Sequence, residues 1–247
     1  MRSRPTIRSP HGVLRIDIDE IHIWNATLIR DESVIENVSK TISKKEQNKA
    51  ARFHFGEDQE RFILSHGFLR IIISSYLNQE PDNFQFSFSK YGKPSLKNNQ
   101  GDEILSFNIS HSADKAIFAI TRNRMIGIDI ERIVEGFPCE EIAERFFSPK
   151  ENEELLKIEP GNLRELAFFT TWTRKEAYIK ALGDGLSMPL DQFDVSVSPH
   201  EPAKLIANRR DPKEVSRWTL MDLKTSPGFV STLAAQGSDL RISYWEI

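Results

Sequence analysis

The segment "IGIDIE", residues 126–131, places two carboxylates in a run rich in isoleucine. In a strand, side chains alternate between faces, so Asp129 and Glu131 point to one side, opposite to the isoleucines. Two like charges held side by side repel each other and are costly to desolvate. A strand with one solvated face would explain the pattern without any chemistry. The alternative is that a positive group lies between the two acids.

A second polar group lies in "WTRKEAYIK", residues 172–180, where Glu176 and Lys180 are four residues apart. On a helix this spacing puts both side chains on one face together with Trp172, and an ordinary surface ion pair would account for them. The aromatic side chains around them, in "AFFTTW" and at Tyr178, leave little room for a fully solvated face. We therefore consider a role for this helix in a buried site.

Three carboxylates, those of Asp129, Glu131 and Glu176, could surround one cation. Such a site suits Mg²⁺, a hard ion that prefers oxygen ligands and commonly also binds substrate phosphate; Mn²⁺ could substitute for it. The chain has neither a Walker-type loop nor a G-x-G-x-x-G fingerprint, so side chains would have to hold any phosphate. The candidates are Lys93 in "YGKP", Ser110 and His111 in "FNISHS", Lys175 and Lys180.

The elements that must position these residues occur in the same order in both halves of the chain. Each half opens on a strand, continues to a long helix and ends in three strand-like segments. The first half has "EIHIWNATL" at 20–28, a helix near 58–77, "FQFSFS" at 84–89, "LSFNIS" and "AIFAIT". The second half has "IGIDIERI" at 126–133, a helix near 163–182, "FDVSVS" at 193–198, "WTLMDL" and "VSTLAA".

This order indicates an internal duplication of roughly 105 to 120 residues and an α+β fold, with a small sheet packed on one long helix in each unit. We expect a flexible N-terminal tail at 1–14, a first half at 15–124 and a second half at 125–247 that carries the metal site. Chance similarity between short strands is the alternative. A cleft between two halves is a usual place for a ligand.

Five motifs in sequence, "GKP", "FNISHS", "IGIDIE", "RFFSPKE" and "WTRKEAYIK…GDGL", resemble the motif series of the 4′-phosphopantetheinyl transferases, and the length resembles that of the Sfp-type branch. The motifs span Lys93 to Leu186, with weaker similarity from about Ala51 and into the C-terminal third. The resemblance implies a pseudo-dimer of two α+β subdomains with coenzyme A in the cleft between them. It also implies transfer of the phosphopantetheine arm to a serine of an apo acyl, peptidyl or aryl carrier protein, which releases adenosine 3′,5′-bisphosphate.

The same resemblance implies roles for individual residues. Three acids would bind Mg²⁺: Asp129, Glu131 and Glu176. Polar and basic side chains would contact coenzyme A: Lys49, Arg61, Lys93, Ser110, His111 and Lys180. Glu176 would also be the base for the carrier serine, and Lys180 would stabilise the leaving phosphate. Arg61 in "DQERF" would reach the 3′-phosphate with help from Lys49, although Ala50 and Ala51 replace residues that are often basic in the family.

The composition limits the alternatives. Of the 247 residues, 39% are hydrophobic and 28% charged, which is typical of a soluble globular protein. A net charge of −3 speaks against a nucleic-acid partner, and so against a metal-dependent nuclease, without excluding it. A non-catalytic carrier-binding or nucleotide-binding module would tolerate loss of the three acids and Lys180, yet all four residues are present.

Cysteine usage and hydropathy predict the compartment. The single cysteine, Cys139, excludes an internal disulfide and fits a reducing cytoplasm. No apolar run approaches the roughly 20 residues of a membrane span. We therefore expect a cytoplasmic protein without membrane attachment. We also expect a monomer, because the duplicated chain would itself supply both walls of the cleft.

Overall fold

The computed structural model describes residues 13–97, 104–183 and 188–247. Helices and small sheets are mixed, which confirms the predicted α+β class. The strands are β1 (Glu20–Thr27), β2 (Phe86–Phe88), β3 (Pro94–Leu96), β4 (Leu105–Ser112), β5 (Lys115–Arg122), β6 (Ile126–Arg132), β7 (Phe193–Val195), β8 (Leu205–Asn208), β9 (Trp218–Asp222), β10 (Phe229–Gln236) and β11 (Arg241–Glu246). The helices are α1 (Glu32–Ser39), α2 (Lys44–Ala50), α3 (Gly56–Leu77), α4 (Cys139–Phe146), α5 (Pro149–Leu156), α6 (Asn162–Leu182) and α7 (Glu214–Arg217).

Two larger sheets organise the described residues. The first has the strand order β11-β1-β5-β4 and the second the order β6-β10-β9. In the first sheet β1 pairs antiparallel with β5, and β5 with β4; in the second, β6 pairs antiparallel with β10, and β10 with β9. Both sheets are accompanied by a short hairpin, β2–β3 or β7–β8. The strand that opens each half therefore pairs with the strand that ends it.

Each large sheet packs one face against its long helix and the other against the second sheet. Alternation along β1 sends Ile21 and Ile23 to the inter-sheet core, while Trp24 and Ala26 join the core under α3. The inter-sheet core contains small and β-branched residues from both sheets: Ile21, Ile23, Ile117, Ala119, Ile126, Ile128, Ile130, Leu223, Leu233 and Ala235. The isoleucines of "IGIDIE" thus join the two sheets, and the residues between them face α6.

The two long helices begin and end close to the predicted positions. The prediction near 58–77 corresponds to α3, and the prediction near 163–182 corresponds to α6. Gly183 ends α6 in a left-handed conformation, with φ of 78°, and its N–H donates to the carbonyl of Ile179 at 3.0 Å. The turn that follows, residues 184–187, lies outside the described residues.

The two alternating segments that follow the helices form shorter strands than predicted. Only Phe86–Phe88 of the segment 84–89 and Phe193–Val195 of the segment 193–198 are paired. In the second case Arg174 of α6 explains the difference. Its guanidinium donates to the carbonyls of Ser196 and Ser198 at 2.7 and 3.1 Å, so a side chain takes the place of a partner strand.

A buried ion pair fixes α2 to α3 in the first half. Ser43 caps α2 in a capping box, and the box glutamate, Glu46, accepts a hydrogen bond from Nε of Arg70 at 2.7 Å. Arg70 also donates to the carbonyl of Phe84 at 3.1 Å, and its guanidinium lies over the Phe84 ring at 5.1 Å.

The second half repeats this construction. Ser148 caps α5 in a capping box, as its position before Pro149 predicted, and Glu151 accepts two hydrogen bonds from Nζ of Lys175, each of 2.7 Å. Lys175 also donates to the carbonyl of Phe193 at 2.8 Å and lies over that ring at 4.3 Å. Serine, glutamate and base each occur 105 positions after their counterparts in the first half.

The C-terminal strand crosses the division between the halves. β11 is the last strand of the chain, and it pairs in parallel with β1 in the first sheet. At the other end, residues 1–12 of the expected tail lie outside the described residues, while Leu14 donates from its N–H to the carbonyl of Ser75 in α3 at 2.8 Å. Among the described residues, no helix has the length and apolar character to cross a membrane.

Candidate active site

Gly127 sets the distance between α6 and β6. A Cβ at this position would lie 2.1 Å from the carbonyl oxygen of Ala177 and 2.3 Å from the amide nitrogen of Ala181. Only the absence of a side chain lets the helix backbone cross the strand so closely. This crossing places the polar residues of α6 beside those of β6. A glycine inside a strand pattern is the sequence signal for such a close approach, and Gly127 carries it within "IGIDIE".

Asp129 lies at the centre of the resulting cluster and is only 2% exposed. Its Oδ1 accepts hydrogen bonds from Nζ of Lys180 at 2.5 Å and from Oγ of Ser110 at 2.7 Å. The lysine also donates to the Ser110 hydroxyl at 2.9 Å, which closes a triangle of three side chains. Oδ2 of Asp129 is buried and has no hydrogen-bond partner among the described residues. One carboxylate oxygen is therefore fixed by two hydrogen bonds, whereas the other lacks a hydrogen-bond partner among the described residues.

The two glutamates complete an acidic group around Asp129. Burial raises the pKa of Glu176 to about 7, and the nearby charge of Asp129 adds to the effect. Burial and then Asp129 also raise the pKa of Glu131, whose Oε2 accepts a hydrogen bond from Oγ of Ser112 at 2.8 Å. Three acids face a single lysine, Lys180, so the site has excess negative charge when all three are ionised.

These acids fit a hard divalent cation in chemistry and charge. In the described ranges, no group of three or more His, Cys, Asp or Glu side chains is arranged so that it could hold a metal ion. Carboxylate donors for a site completed by other ligands are nevertheless present, since Asp129 has a buried oxygen without a hydrogen-bond partner among the described residues and Glu131 lies close enough to Glu176 to raise its pKa. Mg²⁺ typically takes one or two carboxylates and completes its shell with water and substrate phosphate.

Positive charge gathers on the side of the first half. Burial lowers the pKa of His111, and the positive charges of Arg61 and Lys180 lower it further. The three groups are thus neighbours, and His111 links the basic residues of α3 to the acidic group. Arg61 itself donates from Nη1 to Oδ1 of Asp58 at 3.0 Å, an ion pair within α3.

Lys49 extends this positive region along α2. Its ammonium lies 5.1 Å from the centroid of the Phe62 ring. Burial lowers the pKa of His66 to about 4, and Lys49 and His111 contribute to the shift. Lys49, Arg61 and His111 are therefore brought together, as the sequence expectation requires of a phosphate-binding surface.

Lys93 occupies a structural position at the edge of the site. Its ammonium donates to the carbonyls of Ile126 at 3.0 Å and of Ala181 at 2.8 Å, and so joins the start of β6 to the end of α6. Burial lowers its pKa to about 8. The expected contact of Lys93 with phosphate stays a prediction.

Lys175 is not available for phosphate. It is fully buried and holds Glu151 and the Phe193 carbonyl on the far side of α6. Its inclusion among the phosphate candidates was wrong, because adjacent helix positions point in directions about 100° apart and the neighbour of Glu176 turns away from the strand.

Comparisons with known proteins agree with this geometry. The family model of the 4′-phosphopantetheinyl transferase superfamily matches residues 125–234, and a model of a 4′-phosphopantetheinyl transferase N-terminal region matches residues 24–123. Among solved structures, the holo-[acyl-carrier-protein] synthase of Thermotoga maritima covers 48% of this chain and 66% of its own, at 20% identity and a TM-score of 0.37, too low a likeness for structural argument.

Curated relatives match nearly the whole chain. The 4′-phosphopantetheinyl transferase HetI of a Nostoc species is 36% identical over 92% of this chain and 92% of its own. The transferase Sfp of Bacillus subtilis is 32% identical over 86% of this chain and 92% of its own, and gsp of Aneurinibacillus migulanus is 34% identical over 74% and 73%. The chain belongs to the 4′-phosphopantetheinyl transferase superfamily, as its motifs predicted.

Proposed function

We propose that the protein transfers the 4′-phosphopantetheine arm of coenzyme A to a serine hydroxyl of an apo carrier protein. The observation that carries the proposal is the triangle of Asp129, Lys180 and Ser110, with a buried oxygen of Asp129 left free beside it. An ammonium and a hydroxyl next to a cation-binding carboxylate suit the diphosphate of coenzyme A. The names of the relatives supply the reaction class.

Asp129, Glu131 and Glu176 would hold Mg²⁺ or Mn²⁺. The ion, when bound, would neutralise negative charge on the diphosphate. The excess negative charge of the three acids and the raised pKa of Glu176 support this assignment, because a cation at this point relieves the repulsion among them.

Glu176 and Lys180 would carry the proton and charge movements of the transfer. The Glu176 carboxylate accepts the proton of the carrier serine as the serine oxygen bonds to the phosphorus that bears the pantetheine arm. The phosphoanhydride bond breaks, and its electron pair leaves with adenosine 3′,5′-bisphosphate. Lys180 stabilises the charge on this leaving phosphate through its ammonium.

The first half would bind the nucleotide end of coenzyme A. Lys49, Arg61 and His111 form its positive region, and Ser110 stands between that region and Asp129. Arg61 offers a planar guanidinium that can bind the 3′-phosphate through two hydrogen bonds. We place Lys93 at the border of the same cleft.

We further propose that the two halves, 15–124 and 125–247, are a pseudo-dimer that arose by duplication. Both sheets have the same strand order, and both halves contain the capped helix with its buried glutamate–base pair. The common offset of 105 residues supports a shared origin. Strand β11 is an addition to the repeat, since it follows the second unit and joins the first sheet.

The partners we propose are coenzyme A and an apo carrier protein, with no role for nucleic acid or a membrane. A cytoplasmic location and a monomeric state complete the proposal. The pathway to which the carrier belongs, whether fatty acid, polyketide or nonribosomal peptide, is left to experiment.

One assay tests the proposal. The protein is incubated with coenzyme A, Mg²⁺ and several apo carrier proteins, and each carrier is weighed by mass spectrometry. We expect at least one carrier to gain the mass of phosphopantetheine, and we expect EDTA or Asp129→Asn to prevent the gain, with excess Mg²⁺ reversing the effect of EDTA. A protein that modifies none of the carriers would refute the transferase assignment, and full activity in EDTA would remove the metal from it.

A further inference from the structure

Strands β4 and β6 lie side by side where the two sheets meet. Each is the edge strand of its own sheet, β4 at the end of the first and β6 at the end of the second. They do not pair as a backbone ladder within the described residues. An edge strand leaves backbone N–H groups unpaired, and these groups need other partners when the edge is buried.

Side chains of β4 supply these partners. Oδ1 of Asn108 accepts a hydrogen bond from the N–H of Ile128 at 2.8 Å. Four residues further along each strand, Oγ of Ser112 accepts a hydrogen bond from the N–H of Arg132 at 3.1 Å. The residue numbers of the bonded partners increase together along both strands, so β4 and β6 run parallel to each other.

The same face of β4 also bonds to the acids of β6. Asn108, Ser110 and Ser112 are spaced two apart and therefore share one face. Ser110 donates to Asp129 at 2.7 Å, and Ser112 donates to Glu131 at 2.8 Å. A serine hydroxyl has one donor and can accept as well, and Ser112 uses both capacities at once.

We propose that Asn108 and Ser112 are positioning residues, which hold β6 in register with β4 and orient the Glu131 carboxylate toward the metal. This inference rests on the proposed function, since it assigns how that site is assembled. Ser112 is fixed by the backbone of Arg132, so its hydroxyl hydrogen has one direction, toward Oε2 of Glu131. Asn108 anchors the other end of the strand at Ile128, one residue before Asp129.

Because β4 lies beside β6, the motif "FNISHS" would also help to assemble the site, in addition to its expected contact with phosphate. Its even-numbered residues join the two halves, while Phe107 and Ile109 belong to the core under α3. The alternation of the motif thus separates the packing of the first half from the assembly of the site.

Matched variants of Ser112 test the inference. Ser112→Thr keeps the hydroxyl, whereas Ser112→Val has the same shape without it, and both β-branched residues suit a strand. Ser106→Ala is the control, because Ser106 lies on the same face of β4 and no hydrogen bond from its side chain to β6 is found among the described residues. Binding of Mn²⁺ in the presence of coenzyme A is measured by electron paramagnetic resonance of the free ion.

We expect Ser112→Val to weaken Mn²⁺ binding about tenfold or more, the usual effect of removing a group that orients a metal ligand. Ser112→Thr and Ser106→Ala should bind Mn²⁺ like the unsubstituted protein. The Mg²⁺ concentration for half-maximal transfer should rise in Ser112→Val, with kcat at saturating Mg²⁺ much less affected.

Two results separate the positioning role from the proposed function. Equal Mn²⁺ affinity of the valine and threonine variants, in a protein that transfers phosphopantetheine normally, would overturn the positioning role alone. An unsubstituted protein that transfers nothing to any carrier would overturn the proposed function. Should Ser112→Val unfold while Ser112→Thr folds, Asn108→Ala replaces it, and an unchanged Mn²⁺ affinity of that variant would equally refute the proposed register.

Discussion

The carboxylate of Asp129 divides its two oxygens between two tasks. Oδ1 receives Lys180 and Ser110, and Oδ2 is buried with no partner among the described residues. An unpaired buried carboxylate oxygen is costly, so a positive group beside it would stabilise the arrangement. The positive charge of Lys180 balances the negative charge of only one of the three acids, and the diphosphate of coenzyme A would add further negative charge. The proposed cation would therefore support the binding of coenzyme A as well as the proposed transfer.

The ionisation of Glu176 allows the energetic cost of burying a charged carboxylate beside Asp129 to be measured. In the folded protein its pKa is about 7, against 4.5 for an ordinary glutamate, so the folded state holds the proton more tightly than the unfolded state does. Its contribution to stability is then greatest below about pH 4.5 and is lost as the pH rises toward 7. In EDTA, Glu176→Gln should be more stable than the unsubstituted protein, with an advantage that grows by about 2 kcal/mol between pH 5.5 and 8.

Urea unfolding at both pH values measures this difference, and Glu159→Gln is the control. Glu159 is exposed, so its substitution should change the free energy of unfolding little and equally at the two pH values. A Glu176→Gln advantage that does not depend on pH would show that packing, and not ionisation, sets the stability at this position.

Arg61 has two available partners, and the substrate distinguishes them. The guanidinium now binds Asp58 on its own helix at 3.0 Å, yet it lies close enough to His111 to lower the pKa of that residue. If Arg61 binds the 3′-phosphate, Arg61→Ala should raise the KM for coenzyme A about tenfold or more, because a charge-assisted hydrogen bond contributes roughly 1.5 to 3 kcal/mol. The KM for dephospho-coenzyme A should hardly change, whereas an equal loss for both substrates would assign Arg61 to the ion pair with Asp58.

At the scale of elements, the crossing of α6 over β6 determines whether the site exists. Gly127→Ala would introduce a methyl group 2.1 Å from the Ala177 carbonyl, which lies in rigid helix backbone. The helix must move away from the strand, at a cost of about 1 to 3 kcal/mol in stability, and Glu176 and Lys180 move with it. We expect a lower midpoint of thermal unfolding and a loss of transfer activity larger than the loss of stability accounts for.

Gly56→Ala provides the comparison for this prediction. Gly56 is the first residue of α3 and has no atom within 4 Å of a Cβ built on it. The alanine should be neutral or slightly stabilising there, since alanine has the better helix propensity. A Gly127→Ala variant that behaved like Gly56→Ala would mean that the close crossing is not needed.

The elements were more predictable than their connections. Long periodic segments such as α3 and α6 carry enough repeated information to define their position, and the alternation of "IGIDIE" correctly separated the acids from the isoleucines. The short strands after the helices were extended too far, because Arg174 takes backbone carbonyls that alternation alone assigns to a ladder. Hydrogen bonds from a side chain to a strand carbonyl do not change the alternation of polar and apolar residues, so the sequence pattern cannot reveal them.

The sequence also predicted the main charged residues of the candidate site, but not the residues that hold them in place. The types and spacing of Asp129, Glu131, Glu176 and Lys180 indicated a cation and phosphate chemistry, and the structure brings these four residues together. Sequence reasoning missed Asn108 and Ser112, since asparagine and serine in a strand are common and only the approach of a second sheet gives them partners. For the same reason, the sequence did not reveal that Lys175 is unavailable to phosphate, since its ammonium is hydrogen-bonded to Glu151.

For the whole molecule, the proposed duplication explains why the acidic group of the second half has no counterpart among the described residues of the first half. With the 105-residue offset, the positions of the acids correspond to Trp24, Ala26 and Ile71 in the first half. These residues are 4%, 4% and 8% exposed and belong to the apolar core under α3. The first half thus uses for packing the positions that, in the second half, carry the three acids proposed to bind a cation.

In the proposed pseudo-dimer, a single chain would supply both walls of the cleft and would need no partner subunit. The inter-sheet core is formed within the chain by residues of both halves, such as Ile23 and Ile128. We therefore expect sedimentation velocity to give a monomer at concentrations of tens of micromolar. An obligate trimer would contradict the pseudo-dimer, and so would an isolated second half, from residue 125 onward, that bound coenzyme A as well as the whole chain does.

Strand β11 ties the end of the chain back to its beginning. The Trp245 ring stacks on Trp24 with centroids 5.2 Å apart and contacts His22 at the same distance. Arg241 adds an ion pair from Nε to Asp19 at 2.9 Å. These contacts cover the edge of β1 that would otherwise lie open to another strand.

The last prediction concerns this closure. Trp245→Ala removes an aromatic side chain that packs on the first core, and we expect it to lower the free energy of unfolding by about 3 kcal/mol. Tyr244→Ala, on the opposite face of β11 and 45% exposed, should cost less than about 1 kcal/mol. Because the site lies at the junction with the second sheet, the folded Trp245→Ala protein should retain its KM for coenzyme A. Urea unfolding measures the stability of the two variants, and steady-state kinetics measure their KM for coenzyme A. Equal free energies of unfolding for the two variants would show that Trp245 of β11 does not contribute to the core of the first sheet.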